Sequence, residues 1–309
     1  MVDIFLRTLP FFAIIGLGYW AGRSRFFSPE ATAYLTKFVF FFPLSAMIFR
    51  FSANLSFDAV FNGRLMLGYL VGTLAIYLIA TAIAMLRGLD IPTAAIEAQC
   101  AVIGNTGFLG LPMLIMLYGE GAIGPVMLVL TVDLVVFSSL VVMLINGARD
   151  GRLKLSTLRV MGLGLIRNPM IVSIVLGMLW SGLALPVPGP LNDFLTILGG
   201  AATPGALFAI GASLAGKSAE RVQIAAWLSA CKLLLHPAAV AVCVLVIFPL
   251  DRFSATVVIA SAALPVAGNV YMLAQHYGVA PQRVSAAILL STLASIITLP
   301  LALAWLGGL

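Results

Sequence analysis

Charge is scarce in this chain. Asp, Glu, Lys and Arg make up 9% of its 309 residues, against 62% hydrophobic residues, and the mean hydropathy is +1.13. Soluble domains carry roughly 25% charged residues and about half apolar ones, so this composition cannot wrap a water-soluble core in a polar shell. Lipid is the solvent that fits, and each crossing of it takes about 20 residues, which leaves no stretch for a separate soluble domain. Cysteine is rarer still. Cys100, Cys231 and Cys243 are odd in number and lie inside apolar stretches. Their spacing suits neither a disulfide framework nor a metal site, so they read as packing residues. The chain also shows no legible nucleophile–base pair, no metal-ligand cluster and no phosphate-cradling glycine loop. An enzyme reading has little to stand on, and no cofactor or metal is expected. A basic surface for nucleic acid is missing too. The net charge is +6, but the basic residues stand singly at the ends of apolar runs and form no patch.

Long apolar runs are what the chain has in abundance. Windows between loop signals predict ten spans: 4–22, 31–50, 64–86, 92–118, 122–146, 168–185, 191–215, 222–248, 254–277 and 283–307. The first starts after Asp3 rather than a basic region, and no small-x-small site follows before Arg23, so it reads as a retained helix and not a signal peptide. Short loops carry the usual breakers, Ser28-Pro29-Glu30, Leu89-Asp90-Ile91-Pro92, Pro186 to Pro190 and Ala280-Pro281-Gln282. Only residues 147–167 form a longer polar connection.

With ten spans, Arg23, Arg25, Arg87, Arg149, Arg152, Lys154, Arg159, Arg167, Lys217, Arg221 and Arg283 fall at one face. Arg7, Arg50, Arg64 and Arg252 fall at the other, and Lys37 and Lys232 lie within spans. The richer face is expected to be cytoplasmic, which puts both termini outside. Five spans per half then make an inverted repeat, 1–146 and 168–309 around a cytoplasmic loop at 147–167, a pattern typical of secondary transporters. The fourth span ends Met113-Leu114-x-x-x-Tyr118-Gly119 and the ninth Met272-Leu273-x-x-x-Tyr277-Gly278, matching where the repeat requires it.

Those same two spans carry breakers. Ile103 to Pro112 holds three glycines and a proline around Asn105-Thr106, and Ala263 to Asn269 holds Pro265 and Gly268. Such residues weaken the hydrogen-bond ladder of a helix, and freed backbone groups survive only beside protein or a water-filled cavity. Both breaks lie near mid-span. Crossed there, the two chains would point half-helix N-termini inward, ends that attract negative charge. Asn105, Thr106 and Asn269 would add polar side chains at the same depth. The plainer alternative is two kinks between packed helices, with small residues allowing close approach. Asn105, Thr106, Gly107, Pro265, Gly268 and Asn269 are the candidate substrate site.

Asp133 and Lys232 both fall deep inside spans, so each should have a partner. One account makes Lys232 an anion ligand and Asp133 a proton or cation site. The other has Asp133 offset positive half-helix ends and Lys232 negative ones. His236, four residues after Lys232, shares its helix face and suits either pH sensing or a plain helix–helix hydrogen bond. Glu97, shallower on the basic side, suits either protonation or contact with interfacial water. Lys37, Arg50 and His276 read as interfacial.

These residues resemble the auxin efflux carrier family, which includes plant PIN carriers and bacterial malonate or malate permease-like proteins. Asn105-Thr106-x-x-x-Gly110-x-Pro112 through Tyr118-Gly119 looks like its first crossover, and Ala263-Leu264-Pro265 through Ala274, with Tyr277 to Pro281, like its second. Ile166 to Pro169 and Leu299-Pro300-Leu301 match its other landmarks, so the resemblance covers essentially the whole chain. It implies a fold like the sodium/bile-acid symporters or sodium/proton antiporters, a scaffold of helices 1, 2, 6 and 7, and a transport domain of helices 3–5 and 8–10. It also implies an elevator movement carrying a small organic anion, with Asn105 on the substrate carboxylate and Lys232 where plant relatives carry a basic residue. Gly104 stands where plant carriers have a crossover proline, Gly268-Asn269 replaces apolar residues, and the long plant loop is missing. These departures point away from auxin and toward a bacterial metabolite such as a dicarboxylate. A bacterial inner membrane is the expected location, and the sequence leaves the oligomeric state open, a homodimer being one option. The residues leave Na+ or H+ coupling open. A sodium-coupled symporter of the bile-acid type and a non-transporting membrane sensor are the competing readings.

Overall fold

The computed structural model describes residues 2–55, 62–150, 155–216 and 222–307, and within them every regular element is helical. Arg152, Lys154, Lys217 and Arg221, counted above among the basic residues of one face, lie outside the described residues. The first helices are α1 (Val2–Arg23), α2 (Pro29–Phe41), α3 (Pro43–Asn54) and α4 (Gly63–Leu86). The fourth expected span is interrupted. It comprises α5 (Ile91–Val102), a wide π turn at Thr106–Gly110, and α6 (Leu111–Tyr118). Next come α7 (Ile123–Val132), a π turn at Asp133–Phe137 and α8 (Ser138–Asp150). The second half holds α9 (Leu155–Arg167), α10 (Pro169–Gly182), α11 (Gly189–Gly200) and α12 (Ala202–Leu214). It continues with α13 (Val222–Ala230), α14 (His236–Val242), α15 (Arg252–Ala262), α16 (Gly268–Tyr277) and α17 (Pro281–Leu306).

The breaker residues set these boundaries. Pro29, Pro92, Pro169 and Pro281 sit in the first turn of their helices, where a missing N–H costs nothing. Ser28, Asn62, Asp90, Asn168 and Asp251 cap helix starts by accepting backbone N–H groups. Two π turns also have a proline cause. Pro237 cannot donate to Leu233 and Pro112 cannot donate to Phe108, and the preceding turns, Cys231–Leu235 and Thr106–Gly110, are the ones that widen.

Among the described residues seven helices are long and apolar enough to cross a membrane, or eight if the pair Met161–Arg167 and Pro169–Gly182, bent by 72°, is one span. The stretches expected as the fourth, sixth and ninth spans are the ones that fall short as single helices, because glycine, proline or the Asn168-Pro169 step divides them. The connection at 147–167 differs from a plain polar loop. Helix α8 runs on to Asp150, and α9 fills Leu155–Arg167, ending where Pro169 disfavours helical backbone at Asn168.

Two sets of helices pack closely. In one, α1 lies on α12, α12 on α2, and α10 and α11 on α3. At the α1–α12 crossing the backbones nearly touch, since a Cβ on Gly18 would stand 2.1 Å from the Phe208 carbonyl oxygen and one on Gly211 1.9 Å from that of Ile15. In the other set, α4 packs on α5 and α14, α5 on α8, α7 on α15, and α13 on α17. Residues 94–102 of α5 and 255–262 of α15 are buried without exception. A helix covered on all sides belongs to the protein interior, so the first halves of the interrupted spans are sheathed by protein, whereas α6 and α16 beyond the breaks expose residues such as Met116 and Met272.

Candidate functional site

Where α5 and α15 end, the two chains cross and pair. The Asn105 N–H donates to the Pro265 carbonyl at 2.8 Å and the Ala267 N–H to that of Ile103 at 3.0 Å. This makes a single antiparallel bridge, Gly104 to Val266. The Val266 N–H is taken by Ser291 Oγ at 3.1 Å. Beyond the crossing each chain turns helical again. The Asn105 carbonyl accepts from the Leu109 and Gly110 N–H groups at 3.1 and 2.9 Å, and α16 starts at Gly268 with no side-chain cap. Two helix C-terminal ends and two N-terminal ends therefore meet in one buried region, negative and positive respectively.

The six candidate substrate residues divide between the two crossing strands and lie together. Asn105 is 6% exposed, and its side chain has no hydrogen-bond partner among the described residues. The Thr106 hydroxyl faces the Gly104 carbonyl at 3.5 Å. Asn269 Oδ1 is buried and has no partner among the described residues, while its neighbour Gly268 is exposed. Gly107 is covered from α10, where a Cβ on it would stand 2.5 Å from Met170 Cε. Phe108 stacks on Phe40 of α2, their centroids 6.2 Å apart at 20°.

The ionisable groups form a network behind the crossing. Lys232 is fully buried and donates to the Ala262 carbonyl at the end of α15, and its Nζ lies 3.0 Å from His236 Nδ1. A Cβ at Gly104, just past α5, would stand 3.3 Å from Lys232 Nζ. The ammonium thus sits on the carbonyl end of α15 and beside the chain just past α5. His236 Nε2 lies 3.0 Å from Thr73 Oγ1. Since Nδ1 faces an ammonium, it accepts there and Nε2–H donates to Thr73. Asp133 accepts from the Tyr69 hydroxyl at 2.8 Å and is within electrostatic reach of Lys232.

Glu97 belongs elsewhere. Its carboxylate is clasped by Arg87 at 2.9 Å and by Arg283, joining the end of α4 and the start of α17 to the middle of α5. Arg50 donates to Asn192 Oδ1 at 3.2 Å, Lys37 is exposed, and the His276 ring packs on Tyr277. A cavity of about 670 Å³ opens between Asp90, Arg149 and Ala280, where loops meet. Among the described residues no group of three or more His, Cys, Asp or Glu could hold a metal ion.

Tyr69, Thr73, Ser291, Met170 and Phe40 were not singled out from the sequence. Tyr69 and Thr73 stand four apart on α4, one face of an otherwise apolar run, which is the signal that could have found them.

Residues 3–303 match the family described as "Membrane transport protein". The chain belongs to this family, the auxin efflux carriers. It is a multi-pass membrane transporter and not an enzyme. The carrier is also similar to a protein of Rhizobium meliloti (strain 1021) named "Putative malonate transporter", with 28% identity over 304 residues, 96% of this chain and 94% of the relative. The likeness thus extends over nearly the whole of both chains.

Proposed function

We propose that this carrier moves a small carboxylate, of the malonate or malate kind, across a bacterial inner membrane by loading it at the crossing of the two interrupted spans. The observation that carries the reading is Asn105, a residue 6% exposed whose side chain makes no hydrogen bond among the described residues, standing where one helix restarts while α16 begins just past the paired Pro265–Ala267 segment. Positive helix ends and an unpaired amide suit a carboxylate in a medium where an isolated charge is costly. The malonate in the relative's name supports the same substrate class. Thr106, Gly107, Pro265, Gly268 and Asn269 complete the proposed site.

On this reading the chain crosses ten times as two inverted halves with both termini outside. Helices α1–α3 and α10–α12 form a scaffold, past which the remaining helices carry the substrate as an elevator. In support, the helices of each set pack mainly among themselves, and Met170 and Phe40 bring the first set against the crossing. The test is malonate counterflow in proteoliposomes. Wild-type carrier should exchange labelled malonate, and Asn105→Ala should fall to the level of empty liposomes while keeping its thermal stability. Wild-type exchange in Asn105→Ala would remove Asn105 from the site.

A further inference from the structure

Asp133 has one oxygen too many for its surroundings. The side chain is 2% exposed, and Tyr69 satisfies Oδ1. Oδ2 is equally buried, and no donor reaches it among the described residues. Lys232, the one buried Lys or Arg among the described residues, turns its ammonium to the Ala262 carbonyl and to His236 instead. Lys232 is within electrostatic reach of the carboxyl but makes no hydrogen bond to it. An ionised Oδ2 would therefore be sealed from water with no donor to replace the lost solvation.

We propose that Asp133 is a proton-binding site, holding a proton on Oδ2 in this state and coupling its movement to that of the substrate. The proton comes from water on one side of the membrane, forms the O–H bond of the neutral acid, and returns to water on the other side. The ionisable groups facing the carboxyl are few. Tyr69 comes from α4. Behind it His236 lies with its ring 5.9 Å from that of Tyr69, and Lys232 stands one turn before His236. Helix α15 contributes only the Ala262 carbonyl to this network, and Glu97 of α5 is held by Arg87 and Arg283. On its own helix the nearest charged residues are Glu120 and Arg149, at either end of the span. A lone carboxyl in this setting shares its proton with no second acid.

Only the coupling half of the proposal rests on the carrier reading; the protonation half does not, so the two are tested apart. Infrared spectroscopy of the purified carrier in nanodiscs should show a carboxylic-acid carbonyl band that disappears as pH rises. The band should be missing from Asp133→Asn and shifted in Asp133→Glu. The same band in Asp133→Asn would overturn the assignment. For coupling, liposomes with a lumenal pH dye and the membrane potential clamped at zero receive an inward malonate gradient. Wild-type carrier should acidify the lumen in step with malonate entry, and Asp133→Asn should not. Malonate entry without acidification, or acidification by Asp133→Asn at the wild-type ratio, would overturn it. Wild-type carrier that shows the band yet moves no carboxylate would refute the transport reading and, with it, the coupling.

Discussion

A hydrogen atom where other residues have a side chain lets Lys232 reach two helix ends at once. At Gly104 an added methyl would come within 3.3 Å of Lys232 Cε, of Nζ and of the Ser261 carbonyl, tighter than ordinary contact and against a charge that cannot move without leaving its partners. Gly104→Ala should therefore cost about 2 kcal/mol, read as a lower thermal midpoint of the purified carrier. A midpoint equal to wild type would mean that the ammonium is not confined there. Lys232→Met keeps the volume but removes the charge, leaving the Ala262 carbonyl and His236 without their donor. The expected loss is about 3 kcal/mol, by the same measurement. At this scale Asn105, Pro265 and Asn269 were legible because amide and proline side chains in an apolar run have few structural uses. Tyr69 and Met170 were not. Each is an ordinary apolar-span residue until folding sets it against Asp133 or Gly107, and nothing local encodes that meeting.

Helices here are bounded by chemistry visible in the sequence and distorted by chemistry that is only partly so. Proline or a capping residue marks more than half of the helix starts, so most spans could be placed within a few residues. The wide turns at Cys231–Leu235 and Thr106–Gly110 follow from Pro237 and Pro112, whereas the one at Asp133–Phe137 has no proline behind it. Helix α9 was hidden because Ser156, Thr157, Arg159 and its two glycines, Gly162 and Gly164, resemble a loop. Close approach of α1 and α12 depends on glycine at the crossing. Gly211→Leu should force the two apart and lower stability by about 3 kcal/mol or more, seen as aggregation on size-exclusion chromatography, while a monodisperse, wild-type-like profile would show the crossing to be loose. Glu97→Gln should loosen the clasp on Arg87 and Arg283 more gently, because Arg87 is one-third exposed and water can take over part of the bond.

For the whole molecule, composition alone required lipid, and the proposed orientation, with the arginine-rich face in the cytosol, would put both ends of the chain outside. Which helices pack into which set depends on long-range contact, and no periodicity within a span reveals it. A tag at the N-terminus should be labelled by an impermeant reagent in spheroplasts, and a cysteine replacing Arg25 should not. The reverse pattern would invert the topology. The central claim is that the crossing of the interrupted spans is where the substrate sits. The most direct measurement is a cryo-EM map of the carrier in nanodiscs with malonate. The account predicts ligand density within hydrogen-bonding distance of the Asn105 side chain and the first turn of α16. Density confined to the cavity beside Arg149 and Ala280, with the crossing empty, would contradict it.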